Sequence, residues 1–357
     1  SIALVNGRFS GGWTTVLARK VVSPSGEFLG VVTRGLSPAN LESFFESLEL
    51  GKGSAIAVLH RDGTLLEDYW AKSWRTVVSD FREMKALGAN TVRVHLQFVR
   101  FCPTPETLDE ANLKRLKGLV RLAERTGLYL DITGLGCYHK ADVPAWYDAL
   151  DEHGRWEAQA RFWEAVARVC QGSPAILCYD LMNEPVVPAD RMERGSWLTG
   201  ELGGFCYVQY ISLDQPDRSR PDIAREWIRT MTQAIRKRDK KTLITVGLVD
   251  WSLDRPGRIT SGFDPKTVAP ELDFLCVHLY PESNKLADNL ATLKAFCVGK
   301  PVVIEETFPM HCTVPELAHF LQQSQDHAAG WIGFYWGKTL TEYRKSDTIP
   351  DKLMAEW

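Results

Sequence analysis

The stretch ILCYDLMNE, Ile176–Glu184, is a short apolar run that closes on an acid and is followed by Pro185. A second run, PVVIEE at Pro301–Glu306, does the same and leads into Thr307-Phe308-Pro309. Runs of this length, rich in branched and aliphatic residues, read as buried strands. An acid at the end of a buried strand is costly unless it faces a cleft. Two such strands, far apart in the chain, therefore point to two carboxylates converging on one place.

Working outward from these runs, strand and helix alternate. Asn90–Phe98, Leu128–Thr133, Ala175–Met182, Thr242–Val249, Leu272–Leu279, Pro301–Glu305 and Gly330–Trp336 read as strands. Between them, Ser73–Leu87, Leu108–Thr126, Glu157–Cys170, Pro221–Lys237, Leu286–Phe296 and Val314–Ser324 carry apolar residues at helical spacing. Alternation of this kind predicts a parallel sheet. With one further strand it is an α/β (β/α)8 TIM barrel. The eighth strand is expected at Ser54–His60, which should pair with Asn90–Phe98 and Gly330–Trp336.

A barrel places its working residues at the C-terminal ends of its strands. Polar and aromatic groups recur there: Arg93, His95 and Gln97; Asn183 and Glu184; Asp250 and Trp251; His278 and Tyr280; Glu306; Trp336. Alternation puts Arg93, His95 and Gln97 on one face, with Val92, Val94 and Leu96 facing the helices. Glu305 falls on the opposite parity from Glu306 and is read as supporting the barrel wall. Two carboxylates at such an end are the equipment for hydrolysing a glycosidic bond.

The NEP at Asn183–Pro185, the HLYP at His278–Pro281, Glu306 and Trp336 together resemble glycoside hydrolase clan A, and within it family 5, over about Leu66 to Trp336. The resemblance implies a retaining β-glycosidase. It implies Glu184 as acid/base, Asn183 on the sugar 2-hydroxyl and Glu306 as nucleophile. Arg93 would favour the ionised nucleophile, Tyr280 would hydrogen-bond it, His278 would line the sugar site and Trp336 would stack on the sugar. The family's third strand usually ends in Asp-x-His, whereas this chain has Asp131-Ile132-Thr133, so His95 or His139 is expected to fill that space. The long segments Gly134–His153 and Val186–Arg220 are aromatic and read as cleft walls, favouring short oligosaccharides or chain ends.

The first residues read differently. Trp13–Val22 and Glu27–Arg34 form an expected hairpin, Pro38–Leu48 an expected helix, and residues 26–66 resemble part of a bacterial Cache sensor domain. The expected organisation is an α+β appendage at 1–53 and a catalytic barrel at 54–357. A net charge of −3 makes nucleic acid a poor partner, and no apolar stretch is long enough to span a membrane. An oligo- or polysaccharide is the expected substrate, which leans toward a place outside the cytoplasm. No metal or organic cofactor is implied, because two carboxylates and water complete the chemistry. A sugar-binding or sensing protein without turnover, and a transglycosylase using the same glutamates, are the alternatives.

Overall fold

The computed structural model describes residues 2–6, 13–22, 28–36, 54–58, 65–202, 205–215, 217–336 and 344–345. Near the start, β1 (Ile2–Asn6), β2 (Trp13–Val22) and β3 (Phe28–Leu36) form an antiparallel sheet in that order. The expected hairpin is thus β2–β3, with β1 added. The helix expected at Pro38–Leu48 lies outside the described residues.

The remaining long strands close on themselves. They are β4 (Ser54–Val58), β5 (Thr91–Gln97), β6 (Tyr129–Gly136), β7 (Ile176–Asn183), β11 (Leu243–Val249), β12 (Leu275–His278), β13 (Val302–Thr307) and β14 (Gly330–Trp336). All neighbours are parallel, and β14 returns to β4. Ala55 pairs with Thr91 on one side and Ile332 on the other. The run beginning at Ser54 therefore supplies the eighth strand, as its place one loop before the first helix suggested. Closure leaves no unpaired edge within the barrel.

Helices at Trp74–Ala86, Glu110–Thr126, Glu152–Cys170, Arg220–Arg236, Leu286–Ala295 and Val314–Ser324 pack outside it. Their starts are written locally. Asp109, Asp151, Ser219 and Thr313 each accept from a free backbone N–H of the first turn. Asp151 starts its helix earlier than the apolar spacing alone suggests. Val92, Val94 and Leu96 are fully buried against the helices, each contributing about 1.5–3 kcal/mol by leaving water. At Gly134 in β6 the Trp163 ring comes so close that a Cβ would lie 2.4 Å from it, so only glycine fits.

The segment after β7 is not an open loop. Pro185–Val186 (β8), Leu198–Leu202 (β9) and Phe205–Tyr210 (β10) make a small sheet in the order β8-β10-β9. It grows directly from the end of β7, so it stands on the rim beside Glu184.

Candidate active site

Inside the barrel, two irregularities decide which side chains meet. Along β12 and β13, Val277 pairs with Ile304 but His278 pairs with Glu306. β13 thus spends one extra residue, a bulge that lets Glu305 and Glu306 both reach inward. The expectation that Glu305 lies on the opposite face is corrected. It is fully buried in the layer beneath the cleft, against Arg93 and His278. Along β7 and β11, Thr245 pairs with Asp180 but Gly247 pairs with Asn183. The slip brings Asp180 and Asn183 to the same side despite their odd spacing.

Arg93, completely buried, is the hub. Nη1 meets Glu306 Oε1 at 2.5 Å. Nη2 meets Asp180 Oδ2 at 2.7 Å, Asn183 Oδ1 at 3.2 Å and Glu305 Oε2 at 3.3 Å. A planar guanidinium can serve partners in several directions at once, which an ammonium cannot. Burial would lower its affinity for the proton. Glu305, Asp180 and Glu306 override this and hold it well above the usual value.

The second oxygen of Glu306 is also held. Tyr280 donates to Oε2 over 2.6 Å. His278 Nδ1 lies 2.8 Å from Glu184 Oε1 and 3.4 Å from Glu306 Oε2, and Nε2 lies 3.3 Å from Glu305. Burial alone would push His278 down. The charge of Glu306 and hydrogen bonds to Glu184 and Glu305 raise it instead, to about 10. Glu184 sits at φ +46°, a left-handed backbone that costs a non-glycine residue on the order of 1 kcal/mol or more. Its N–H still bonds the Gly247 carbonyl at 3.0 Å. Carboxylate oxygens of Glu184 and Glu306 come within 4.8 Å of each other.

Beneath this layer lie more carboxyls. Burial raises Asp180 to about 6, helped by Glu305 and opposed by Arg93. Asp131 is pushed well up by burial, Glu305 and Asp180. Glu305 goes the other way. Burial opposes its charge, but Arg93 and His278 lower it to about 2. Two groups are compact enough to be weighed as cation sites: Glu184, His278 and Glu306, and Asp131, Asp180 and Glu305. In each, Arg93 or His278 already stands against the carboxylates as the positive charge.

Other expected residues sit further out. Neutral His95, lowered by burial and by the charges of Arg93 and His278, bonds the Tyr138 hydroxyl through Nδ1. His139 is not in the carboxylate layer. Its ring lies against Phe205 of β10, with centroids 4.2 Å apart. Trp251 stands on the rim in the turn after β11 and is 38% exposed. Trp336 ends β14, half-buried, and among the described residues its Nε1 has no hydrogen-bond partner.

Sequence reasoning gave no site role to Asp131, Asp180, Tyr138 or Tyr207. Asn183 donates to the Tyr207 carbonyl at 2.9 Å, and the Tyr138 and Tyr207 rings are neighbours at 6.5 Å. An acid in mid-strand was the available signal for Asp131 and Asp180. A separate groove of about 210 Å³, lined by Phe98, Cys102, Arg161, Arg168 and Arg238 among others, lies away from these carboxylates. Two of its arginines are already paired, Arg168 with Glu110 and Arg238 with Glu164.

A closed parallel barrel with two carboxyls this close at its C-terminal end is the architecture of a retaining glycoside hydrolase. A model of the cellulase family, glycosyl hydrolase family 5, matches residues 54–339. The chain belongs to that family, whose members are retaining β-glycosidases of clan A. A search of curated proteins gave no significant match.

Among solved structures it is similar to an exo-β-1,4-mannosidase from Opitutaceae bacterium strain TAV5. That TM-score is 0.60 at 19% identity, covering 79% of this chain and 52% of that one. This chain thus spans about half of the mannosidase's length. It is also similar to a GH5_18 variant from Streptomyces cattleya in complex with Manβ1-4GlcNAc. There the TM-score is 0.59 at 17% identity, covering 79% and 70%. A third is the endoglucanase Cel5A of Pseudomonas stutzeri, with TM-score 0.53, 17% identity and coverage of 85% and 93%. The family match takes the end of the 26–66 run for the barrel, and the Cache resemblance has no counterpart in these comparisons.

Proposed function

We propose that Glu306 attacks the anomeric carbon of a β-linked sugar while Glu184 protonates the departing oxygen. The observation that carries this is that one carboxylate oxygen of Glu184 and one of Glu306 lie within 4.8 Å of each other. A separation this small suits direct attack by one carboxylate, whereas an inverting pair needs about 6.5–9.5 Å to seat a water. Arg93 and Tyr280 take one oxygen each of Glu306, which fixes its plane and favours its charge. The bond from anomeric carbon to leaving oxygen breaks as the bond to Glu306 forms. Glu184, left ionised, then takes a proton from the water that releases the sugar.

Asn183 is turned by Arg93 and Tyr207 toward the sugar's 2-hydroxyl. Trp336 offers an apolar face beneath the ring, and the His95–Tyr138 pair offers partners for sugar hydroxyls. His139 and Trp251 are rim contacts for sugars further from the cleaved bond. The β9–β10 hairpin beside Glu184 supports action on short oligosaccharides or chain ends. The printed descriptions of the solved relatives above make β-mannosides the first substrates to try. Residues 1–53 are read as an appendage to a barrel of 54–357. That division is supported by the family match beginning at 54 and by the pairing of β4.

The test is turnover of a panel of nitrophenyl β-glycosides and of β-mannan and β-glucan polymers, with Glu184→Ala and Glu306→Ala as controls. Loss of turnover in both variants is expected. Unchanged hydrolysis in either removes that residue from the mechanism. Added acceptor sugars show whether the glycosyl group goes to water or to another sugar.

A further inference from the structure

The retaining mechanism needs one glutamate on each side of the bond, yet a third, Glu305, is fully buried directly beneath them. It faces Arg93 of β5 at 3.3 Å and His278 of β12 at 3.3 Å, with Asp131 of β6 and Asp180 of β7 in the same cluster. Cys276 and Cys178 also lie among the titratable groups that interact with it. His278 is itself faced by Glu184, Glu306, Arg93 and His95. One imidazole thus joins Glu305 through Nε2 to Glu184 through Nδ1.

We propose that Glu305 is a positioning residue that acts through His278 to hold the catalytic proton on the His278–Glu184 pair. A carboxylate at Nε2 accepts and requires a proton there, so Nε2 is the donor and Nδ1 is left to face Glu184. The second proton then lies between Nδ1 and Oε1, over 2.8 Å. On Glu184 it is ready for the leaving oxygen. On Nδ1 it is one short hydrogen bond away. The negative charge of Glu305 keeps that proton on the pair to higher pH than a lone pair of groups would.

The surroundings fit this role. The lowering of Glu305 and the raising of His278 have the signs that an ion pair requires. Burial, Glu305 and Asp180 push Asp131 up, so it opposes the charge of Glu305 less than a free carboxylate would. Gly247 leaves the space, since a Cβ there would lie 3.0 Å from both Glu305 Oε2 and His278 Nε2 and 3.1 Å from Arg93 Nη2. The proposal rests on the reading of Glu184 as the acid.

The experiment compares pH profiles of kcat/KM for wild type and Glu305→Gln on two aryl β-glycosides of the sugar turned over. A phenyl leaving group needs the proton, and a dinitrophenyl one does not. With the phenyl substrate the alkaline limb of Glu305→Gln should move to lower pH by about one unit or more, because a negative charge near the proton is gone. Glu305→Asp should restore part of the shift. With the dinitrophenyl substrate no such movement is expected. An unmoved limb, or equal losses on both substrates at every pH, overturns the proposal.

Glu184→Gln is run alongside. If it leaves the phenyl substrate's rate unchanged, the reading of Glu184 fails, independently of Glu305. Should Glu305→Gln not fold, nuclear magnetic resonance of wild-type protein with isotope-labelled imidazole nitrogens decides. A protonated His278 Nε2 near pH 7 is expected, and an unprotonated Nε2 overturns the proposal.

Discussion

Tyr280 donates its phenolic proton to Glu306 Oε2 over 2.6 Å, on the far side of the carboxylate from Arg93. The two donors together leave Glu306 one rotational state. Tyr280→Phe removes one donor and little volume. A hydrogen bond to a charged group contributes about 1.5–3 kcal/mol, so kcat/KM should fall about 10- to 100-fold, with a stability loss no larger than that contribution. Steady-state kinetics beside a urea melt checks this. A wild-type rate in the variant would mean that the contact is idle.

Among the described residues, Arg93 is the one cation that touches Asp180, Glu305 and Glu306 together. Arg93→Met leaves those carboxyls without it, and breaking a buried pair costs about 3–5 kcal/mol. Denaturant unfolding should show a loss of that size, with activity gone in whatever remains folded. A loss below about 1 kcal/mol would mean that the cluster does not depend on its arginine.

Glu67 is a buried acid outside the reaction. It accepts from the Gln97 N–H at 2.7 Å, and burial raises it from 4.5 to about 7. The native state therefore binds its proton more tightly than the unfolded chain does. The stability it lends is fully present below pH 4.5 and is lost as pH rises to about 7. Glu67→Gln has no proton to lose, and Gln97 can turn its amide oxygen toward the new NH2. The variant should gain on wild type by on the order of 2 kcal/mol across that window. Urea midpoints at its two ends measure the gain, and a difference independent of pH would refute the assignment.

Much of this was legible in the sequence because strand, helix and strand-end acid each leave a local mark. Glu184, Glu306, Arg93 and His278 stood out as polar groups closing apolar runs. The bulges in β7 and β13 did not, because a slipped register depends on the neighbouring strand. That is why Asp180 went unremarked and Glu305 was put on the wrong face. Tyr138 and Tyr207 lie on loop and hairpin, where no periodicity marks a residue. The hairpin itself had a readable sign in Gly203-Gly204 between Leu198–Leu202 and Phe205–Tyr210, a turn signal that a long aromatic loop obscured. His139 was expected, as an alternative to His95, in the place of the histidine that Asp131-Ile132-Thr133 lacks. The chain instead carries it outward to Phe205.

The central claim is that Glu306 bonds to the sugar and Glu184 does not. Azide can replace a missing carboxylate, and the configuration of the glycosyl azide formed reports the face it came from. Proton magnetic resonance of the product made by Glu306→Ala from a dinitrophenyl β-glycoside in azide is the most direct measurement. The account predicts the α-glycosyl azide, because azide enters the face that Glu306 vacated. A β-glycosyl azide from that variant would place the nucleophile elsewhere and contradict it.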